Sequence, residues 1–421
     1  MMDHRMTFAG LIDGTRQGRW LTRDRIVAGG QALCLMEATV LLLLALWQHG
    51  VITHDVSRTS SDFVSFYAAG KLALAGTPAL AYDQTAHFLM EQRFTVAGAP
   101  YQYFFYPPVF MLLLAPLATL PYFMAFYVFE AATLAAFLLV MRRILAEPGW
   151  AWVGPVLAFP AIFWTLGLGQ NAFLTAALFG GFTLSIERRP ALAGMLLGLL
   201  CYKPHFGILV PVGLASGGHW RAFLAAGATV AGLVALSVAL FGMETWEEYL
   251  TAFAGSDSVY ASGKIDYAGM VTPFGAARLL GFEPVAAYLA QGCVTGAMVL
   301  LIAWTWRAPP THGRRAAVLL AGTMLAVPMA ILYDKLLLLV AVGWLIREGR
   351  AEGFRPWEKT TLLLVYLGSV AEYVAGSAWH VPLGPIVSLA VLALAARRIG
   401  GAPLAGRRRT ARMETLSASA G

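Results

Sequence analysis

Residues 222–241 read AFLAAGATVAGLVALSVALF, and the fold class follows from this stretch. It contains no charged side chain, and its length is what an α-helix needs to cross the hydrocarbon core of a bilayer. The rest of the chain has the same character, because 58% of its 421 residues are hydrophobic and only 13% are charged. Soluble domains carry about 25% charged residues, so this composition predicts a protein whose solvent is lipid.

Eleven further apolar runs flank this stretch. They fall at 27–52, 121–141, 152–168, 171–186, 191–202, 204–216, 284–306, 316–332, 335–346, 360–376 and 382–396. Their continuity favours helices over a β-barrel, because the strands of a barrel alternate apolar and polar residues. Several runs are shorter than a normal span. The pairs 191–202/204–216 and 316–332/335–346 are therefore each interpreted as one long helix or two short ones.

The placement of basic residues favours a single crossing by every run. With about twelve crossings, most of the 30 lysines and arginines lie on one side, as the positive-inside rule expects of the cytoplasmic side. We therefore expect an all-α polytopic membrane protein with both termini in the cytoplasm. The prediction gives a cytoplasmic segment 1–26, one transmembrane domain 27–396 with outer loops 53–120 and 242–283, and a basic cytoplasmic tail 397–421.

The net charge of +7 arises from short basic clusters between apolar runs and predicts no nucleic-acid partner. Basic residues of the tail, 407–412, are interpreted as a topology anchor or as a contact with anionic membrane lipid.

Cys34, Cys201 and Cys293 lie within apolar runs and predict small core residues rather than a disulfide framework. The H-E-x-x-H and G-x-S-x-G motifs do not occur. Neither a metal nor another cofactor is expected.

Asp62 is the first candidate for chemistry. It opens the stretch 62–75, where Phe63, Phe66 and Tyr67 recur at helical spacing, and this pattern predicts an amphipathic helix in the plane of the membrane interface. A carboxylate beside apolar rings can gain proton affinity and serve as a general base. The alternative is that Asp62 only caps the helix by accepting hydrogen bonds from its first free amides.

Polar residues interrupt the apolar pattern at further positions on the predicted outer side. They are Tyr106 in the first outer loop and three junctions between spans, namely Gln170 with Asn171, Lys203 with His205, and Asp334 with Lys335. The similar depth of the three junctions predicts that they converge with Asp62 on one cavity, where a lysine is a point-charge partner for a phosphate group. Each position also has a structural explanation, since Pro204 breaks a helix and a lysine at a span end extends its ammonium to the interface.

Three carboxylates within predicted spans support a second function class. Glu37, Glu130 and Glu372 lie inside apolar runs, and intramembrane carboxylates are candidates for proton relays. The alternative function is therefore a transporter or a flippase for a lipid-linked sugar. Glu130 and Glu372 are equally well explained as hydrogen-bonded structural residues, and the two halves of the chain show no pseudo-symmetry of the kind that transporters carry.

The order of several short motifs resembles one known family. The motifs are Phe66-Tyr67-Ala68-Ala69, Tyr82-Asp83, Tyr106-Pro107-Pro108, Gly169-Gln170-Asn171, Lys203-Pro204 and Tyr333-Asp334. In this order they resemble glycosyltransferase family 87, the polyprenyl-phosphate-mannose-dependent mannosyltransferases with the GT-C fold. The most specific part of the resemblance is the first outer loop.

The resemblance implies a GT-C-like bundle in a bacterial inner membrane. It also implies a sugar donor carried on a polyprenyl phosphate, and a glycolipid or glycan acceptor on the outer face. Asp62 matches the aspartate of the family's first loop and is expected to be the catalytic base of an inverting displacement. Position and charge make Lys203 the first candidate to assist the phosphate, followed by His205 and Lys335. The other predicted substrate-binding residues are Tyr106, Gln170, Asn171 and Asp334.

Overall fold

The structure is a computed structural model that describes residues 8–48, 62–95, 98–261, 265–307 and 311–399. The first part of the predicted outer loop and most of the predicted basic tail, including 407–412, lie outside the described residues. Within the described ranges the chain is almost entirely helical, and its single β-bridge joins Met270 to Ile331. This bridge brings the second outer loop next to the segment that carries Asp334.

The α-helices follow one another with short connections. They are α1 (Phe8–Gln17), α2 (Arg23–Gln48), α3 (Phe63–Leu74), α4 (Gln84–Glu91), α5 (Met111–Leu117), α6 (Tyr122–Leu145), α7 (Val153–Leu157), α8 (Pro160–Leu168), α9 (Ala172–Ser185), α10 (Pro190–Gly198), α11 (Val210–Ser216), α12 (Trp220–Phe241), α13 (Met243–Ala261), α14 (Pro273–Leu279), α15 (Pro284–Arg307), α16 (His312–Ala326), α17 (Leu336–Glu352), α18 (Glu358–Trp379) and α19 (Leu383–Ile399). Short 3₁₀ segments occupy Pro78–Ala81, Pro108–Phe110, Leu199–Tyr202, Pro204–Gly207, Tyr267–Gly269 and Leu332–Lys335.

Five helices in the described residues are long and apolar enough to cross a membrane. They are Arg23–Leu46 within α2, then α6, α12, α15 and α18. The protein is therefore a helical integral membrane protein. The predicted number of about twelve crossings is not confirmed, because the other apolar runs fold into shorter helices such as α9, α10 and α11. The apolar stretch 222–241 lies within α12, as its length and composition predicted.

α10 and α12 pack closely at small residues. A Cβ atom at Gly194 would lie 2.7 Å from the Cβ of Ala225, and one at Gly198 would lie 2.9 Å from the carbonyl oxygen of Ala226. The G-x-x-x-G spacing therefore lets the two backbones approach to a distance that larger residues would prevent.

The helix predicted after Asp62 is present as α3, but its environment differs from the expectation. Nine of its twelve residues are buried, including Phe63 and Phe66 on one side and Ser65 and Ala69 on others. α4, α5 and the N-terminal part of α6 pack around it. The structure therefore places α3 inside the packed fold, where an amphipathic helix in the interface plane would keep one face open.

The segment with Pro108 and Pro116 forms a short 3₁₀ turn followed by α5. Ten helical residues span about 15 Å, which is half the thickness of a bilayer core. This segment is therefore too short to cross the membrane by itself and packs ahead of α6.

The most deeply buried elements are α16 and α17, which pack against each other and against α19 and α9. Thirteen residues of α16 are buried, including Ala321 and Met324. α17 begins directly after the 3₁₀ segment that carries Asp334 and Lys335. The central helix of the bundle therefore holds these two polar residues at one of its ends.

Candidate active site

Asp62 precedes the first residue of α3, yet its side chain does not cap that helix. Its backbone is helical, with φ −61° and ψ −17°, and among the described residues it makes no side-chain capping hydrogen bond. The Oδ2 atom of Asp62 instead accepts a hydrogen bond of 2.7 Å from Nε2 of Gln170. The capping alternative is therefore wrong for this structure, and the carboxylate is directed toward the junction between α8 and α9.

The environment of Asp62 increases its affinity for a proton. Burial raises the pKa of the Asp62 carboxyl above its ordinary value, and the hydrogen bond from Gln170 opposes this rise. A half-buried carboxylate held by a single neutral donor keeps lone pairs for a further partner. This is the arrangement that a general base requires.

The junction between α8 and α9 depends on Gly169. Its φ of +69° lies in the left-handed region, and a Cβ atom there would lie 2.7 Å from the Cβ of Phe63. Glycine is therefore required both by the backbone turn and by the close approach to α3. The tight turn presents Gln170 and Asn171, the next two residues, to the start of α3.

Gln170 and Asn171 are buried and keep unused hydrogen-bonding capacity. Gln170 is 5% exposed and Asn171 is fully buried. Within the part of the chain that the structure describes, Oε1 of Gln170 and both amide atoms of Asn171 make no hydrogen bond of normal geometry, although the Asn171 side chain lies close enough to the Tyr106 hydroxyl to lower its pKa. Leaving a buried polar group unpaired costs about 1–3 kcal/mol, so this junction keeps hydrogen-bonding capacity that a bound molecule can use.

Tyr106 connects this junction to the other polar residues. Its carbonyl oxygen accepts a 2.8 Å hydrogen bond from the hydroxyl of Tyr82, and its ring packs edge-on against Phe66 at 5.2 Å between centroids. Burial raises the pKa of Tyr106 well above its ordinary value, the charge of Asp334 adds to the rise, Asn171 opposes it, and the charge of Asp62 adds further. The Tyr106 hydroxyl therefore senses both carboxylates and remains a neutral hydrogen-bonding group.

Lys203 and Asp334 form a buried ion pair across the bundle. Nζ of Lys203 lies 2.8 Å from Oδ1 of Asp334, and the two residues are 4% and 6% exposed. The other carboxylate oxygen, Oδ2, accepts a 3.0 Å hydrogen bond from the backbone N–H of Ile331. An ammonium group has three donors, and the pair uses one of them, so Lys203 can still engage an anionic group.

The other two predicted basic residues are placed differently from each other. His205 follows Lys203 by two residues, and both side chains contact the ring of Phe206, so His205 stays beside the Lys203–Asp334 pair. Lys335 donates from its ammonium group to Oγ of Ser369 at 2.7 Å and to the carboxylate of Glu372. The structure therefore uses Lys335 to attach the 3₁₀ segment to α18 and does not direct it toward Lys203.

The intramembrane carboxylates have separate environments. Glu372 is paired with Lys335. Glu130 is 4% exposed, and neither of its carboxyl oxygens has a hydrogen-bond partner in the described ranges. Among the same residues no group of three or more His, Cys, Asp or Glu side chains could hold a metal ion.

Two features of the site were not predicted from the sequence. Tyr202 shares a 2.8 Å hydrogen bond with Thr175 of α9, and its ring stacks on Phe110. His87 and Glu91 form a buried pair on α4. The spacing of four residues between His87 and Glu91 places them on one helix face, and that spacing was a usable signal.

The family model described as Glycosyltransferase family 87 matches residues 104–329, which is more than half of the chain. The match includes Tyr106, Gln170, Asn171, Lys203 and His205. It begins after Asp62 and ends before Asp334 and Lys335. No curated protein and no solved structure matches the chain.

Proposed function

This chain belongs to glycosyltransferase family 87, and we propose that it transfers mannose from a polyprenyl-phosphate donor to an acceptor hydroxyl. Its family and its apolar helices make it a membrane glycosyltransferase. A glycolipid or a glycan is the proposed acceptor.

The observation that carries the proposal is the contact between Asp62 and Gln170. The Asp62 side chain does not cap its helix. Its Oδ2 atom accepts a hydrogen bond of 2.7 Å from the neutral amide of Gln170, which lies 108 residues further along the chain. The residue after Gln170 is Asn171, whose buried amide makes no hydrogen bond of normal geometry within the described chain. A carboxylate with raised proton affinity beside unpaired amide groups suits both proton removal and the binding of sugar hydroxyls.

Lys203 is the proposed partner of the donor phosphate. Its positive charge is balanced by Asp334 at 2.8 Å, which reduces the cost of burying it before the donor arrives. Two N–H donors of the ammonium group remain for phosphate oxygens. As the sugar leaves, negative charge grows on the phosphate, and a preplaced ammonium group stabilises that change.

The proposed step is an inverting displacement. Asp62 takes the proton of the acceptor hydroxyl as that oxygen forms a bond to the anomeric carbon. On the opposite face of the sugar, the bond between the anomeric carbon and the phosphate oxygen breaks. The electron pair leaves with the polyprenyl phosphate, and the proton remains on the Asp62 carboxyl until it passes to solvent.

We also propose the finer topology. About twelve crossings, cytoplasmic termini and a site on the outer face are supported by the charge asymmetry of the sequence, and a bacterial inner membrane is what the resemblance to the family implies. The short apolar helices α9, α10 and α11 would then pair with their neighbours to complete crossings. A donor with its lipid in the bilayer would reach Asp62 and Lys203 from the side.

The test replaces Asp62 by asparagine, which keeps the size and the acceptor for Gln170 but removes the base. Transfer of labelled mannose from polyprenyl-phosphate mannose to the lipids of the source membrane is expected to fall about 10²–10⁴-fold. The matched control is Asp83→Asn in the same loop. Asp83 caps α4 by accepting a hydrogen bond of 2.7 Å from the N–H of Ala86. Asparagine caps a helix about as well as aspartate, so this variant should keep both its stability and its transfer per folded molecule.

Two results would contradict the proposal. One is normal transfer by the purified Asp62→Asn protein. The other is loss of transfer by both variants in proportion to their folded fraction, since Asp62 would then be structural. A flippase would move the lipid-linked sugar across vesicles without forming a new glycosidic bond, and product analysis separates that activity from transfer.

A further inference from the structure

α10 and α12 run parallel, because their contacts advance in the same direction along both helices. Gly194 of α10 packs against Ala222 of α12, and Gly198, one turn later, packs against Ala226 and Thr229. Both helices therefore begin at the same end of the pair. The close approach at the two glycines also holds the two helix starts in a fixed relation to each other.

A cleft of about 560 Å³ opens between these two helix starts. Its walls are one arginine from each side and several apolar residues, namely Arg189, Pro190, Ala191, Leu192, Arg221 and Leu224. Arg189 directly precedes α10, and Arg221 is the second residue of α12. Leu192 is 38% exposed and Leu224 is 69% exposed. The cleft therefore combines two positive charges with an open apolar surface.

The two guanidinium groups of the cleft have no counter-charge. Within the described ranges, the side chains of Arg189 and Arg221 make neither an ion pair nor a hydrogen bond. The nearest carboxylate in the sequence, Glu187, lies 3.4 Å from Nδ1 of His312, and the lining of the cleft contains no acidic residue. An anionic group bound in the cleft would supply the missing partner for both arginines.

A second basic cleft, at the end of α6, shows the opposite arrangement. Its lining includes Arg142 and Glu147. Glu147 pairs with Arg23 at 2.8 Å and with Arg350 at 2.6 Å, and the guanidinium of Arg142 lies 5.5 Å from the ring centre of Trp150. The chain itself therefore balances the positive charge there, which it does not do between α10 and α12.

The cleft lies where α12 enters the membrane. α12 is one of the helices that are long and apolar enough to cross, and its first residue, Trp220, is 56% exposed. Tryptophan and arginine at the end of a span are typical of the headgroup region. Leu224 lies about 4.5 Å beyond Arg221 along the helix axis, which is toward the acyl chains. Charge followed by apolar surface is also the order of groups in a phospholipid.

We propose that the cleft between α10 and α12 binds an anionic phospholipid, with its phosphate on Arg189 and Arg221 and an acyl chain along Leu192 and Leu224. Guanidinium groups form paired hydrogen bonds with phosphate oxygens. A choline headgroup would bring a further positive charge next to the arginines, so a headgroup with net negative charge is favoured. Basic pockets between spanning helices bind anionic headgroups by the same chemistry.

Stabilisation by added lipid tests the proposal on the whole chain in neutral detergent micelles. The Tm is followed while phosphatidylglycerol or phosphatidylcholine is added, because a ligand that binds only the folded protein raises the Tm. Phosphatidylglycerol should stabilise the wild type at the lower concentration. In Arg189→Gln/Arg221→Gln its half-saturating concentration should rise about 10²-fold, since each lost hydrogen bond between charged groups is worth about tenfold.

The matched control is Arg188→Gln/Arg307→Gln. Both of these arginines are exposed and lie outside the cleft. The control therefore loses the same net charge as the cleft variant, but only the general attraction between a basic surface and anionic lipid. Its half-saturating concentration of phosphatidylglycerol should rise about fivefold or less.

Leu224→Ser separates a phospholipid from a free phosphate ester. The side chain is exposed, so its replacement should leave folding intact. The affinity for phosphatidylglycerol should fall about tenfold, because the acyl chain loses an apolar contact. Glycerol 1-phosphate carries the phosphate without an acyl chain. It should bind the wild type much more weakly than the lipid does, and equally well to Leu224→Ser.

Three results would overturn the inference. Equal weakening in the two double variants would mean that only the general surface charge attracts the lipid. Equal stabilisation by phosphatidylcholine would mean that the cleft does not select its ligand by charge. Saturation by glycerol 1-phosphate at the same concentration as phosphatidylglycerol would mean that the cleft binds a free phosphate ester. Lys203 lies beyond the other end of α10, after the segment Leu199–Tyr202, so these results do not bear on the proposed transfer reaction.

Discussion

Charged residues are buried at both ends of α17, but they are paired differently at the two ends. At its start lies the candidate site, with Asp62, Gln170, Asn171 and the Lys203–Asp334 pair. At its other end, about 25 Å away along the 17-residue helix, lies an arginine–glutamate cluster. We use this name for Arg314, Glu348, Glu352, Glu358 and Arg398.

In the arginine–glutamate cluster the charged side chains pair with one another. Arg398 is fully buried and donates to both carboxylate oxygens of Glu358, and its third nitrogen lies 4.0 Å from Glu352. Oε2 of Glu358 also accepts from the backbone N–H of Arg355 at 2.8 Å. Arg314 engages Glu348 and Glu352 in the same manner. Multidentate pairing of this kind joins α16, α17, α18 and α19 and serves stability.

The candidate site leaves more binding capacity unused. Lys203 and Asp334 make one contact with each other, Asp62 has one neutral donor, and neither Oε1 of Gln170 nor the Asn171 amide makes a hydrogen bond of normal geometry within the described chain. The arginine–glutamate cluster also contains one such atom, Nη1 of Arg398, so neither buried charge nor an unpaired atom by itself marks a functional site. The two ends differ in degree, because Arg314 and Arg398 each engage two carboxylates, whereas Lys203 engages one and keeps donors for a bound partner.

The largest expected effect comes from separating the Lys203–Asp334 pair. Lys203→Met leaves the buried Asp334 carboxylate uncompensated and should lower the free energy of unfolding by about 3–5 kcal/mol. It should also lower transfer about 10²–10³-fold through loss of the phosphate partner. The double variant Lys203→Met/Asp334→Asn should recover stability, measured by unfolding in mixed micelles, without recovering transfer. Recovery of both stability and transfer would mean that the Lys203–Asp334 pair is structural, and the two ends of α17 would then not differ in function.

A stability loss of similar size, without a loss of function, is expected in the arginine–glutamate cluster. Arg398→Met leaves Glu358 unpaired and should cost about 3–5 kcal/mol. Because Arg398 lies at the far end of α17, transfer per folded molecule should not change. Arg398→Met/Glu358→Gln should restore stability while keeping the acceptor for the N–H of Arg355. If this double variant lost transfer, the two ends would be coupled and the comparison would fail.

The smallest stability effect is expected at Asn171. Replacement by leucine removes an amide that makes no hydrogen bond of normal geometry and acts only on the hydroxyl of Tyr106, so the free energy of unfolding should change by less than about 1 kcal/mol. Transfer should fall by about tenfold, the value of one lost hydrogen bond to substrate. The matched control is Thr360→Val beside the arginine–glutamate cluster. It removes a hydrogen bond of 2.6 Å from Thr360 to the carbonyl oxygen of Thr15 and should cost about 1 kcal/mol with normal transfer. A destabilised but active Asn171→Leu would mean that the amide is structural.

The sequence predicted much of the helical fold and less of its detail. The helix after Asp62 and the helix over the apolar stretch 222–241 are both present. The number of membrane crossings could not be predicted from the sequence. Hydropathy measures composition and does not decide whether a short apolar run crosses the membrane or enters it only part of the way. The open face predicted for α3 was wrong, since its polar side is also covered by packed neighbours.

The candidate site was predictable as a set of residues but not as a set of contacts. Asp62 and Gln170 are 108 residues apart, and Lys203 and Asp334 are 131 apart. Polar residues at equal depth predicted that such positions converge, and the structure brings these pairs together. Their roles remain predictions.

Two departures from the predicted site have physical causes. Lys335 was grouped with the site, but Ser369 and Glu372 on α18 hold its ammonium group. His87 and Glu91 were missed because a short loop helix carries no hydropathy signal.

Composition alone is enough to place this protein in a membrane, because a chain with 13% charged residues cannot cover a soluble globule. The sequence by itself likewise shows which polar residues interrupt the apolar runs. What each of these polar groups faces depends on the packed helices. Asp62 turns from its own helix to Gln170, Lys203 meets Asp334, and Lys335 turns away, because hydrogen bonds depend on directions and distances that helix packing sets.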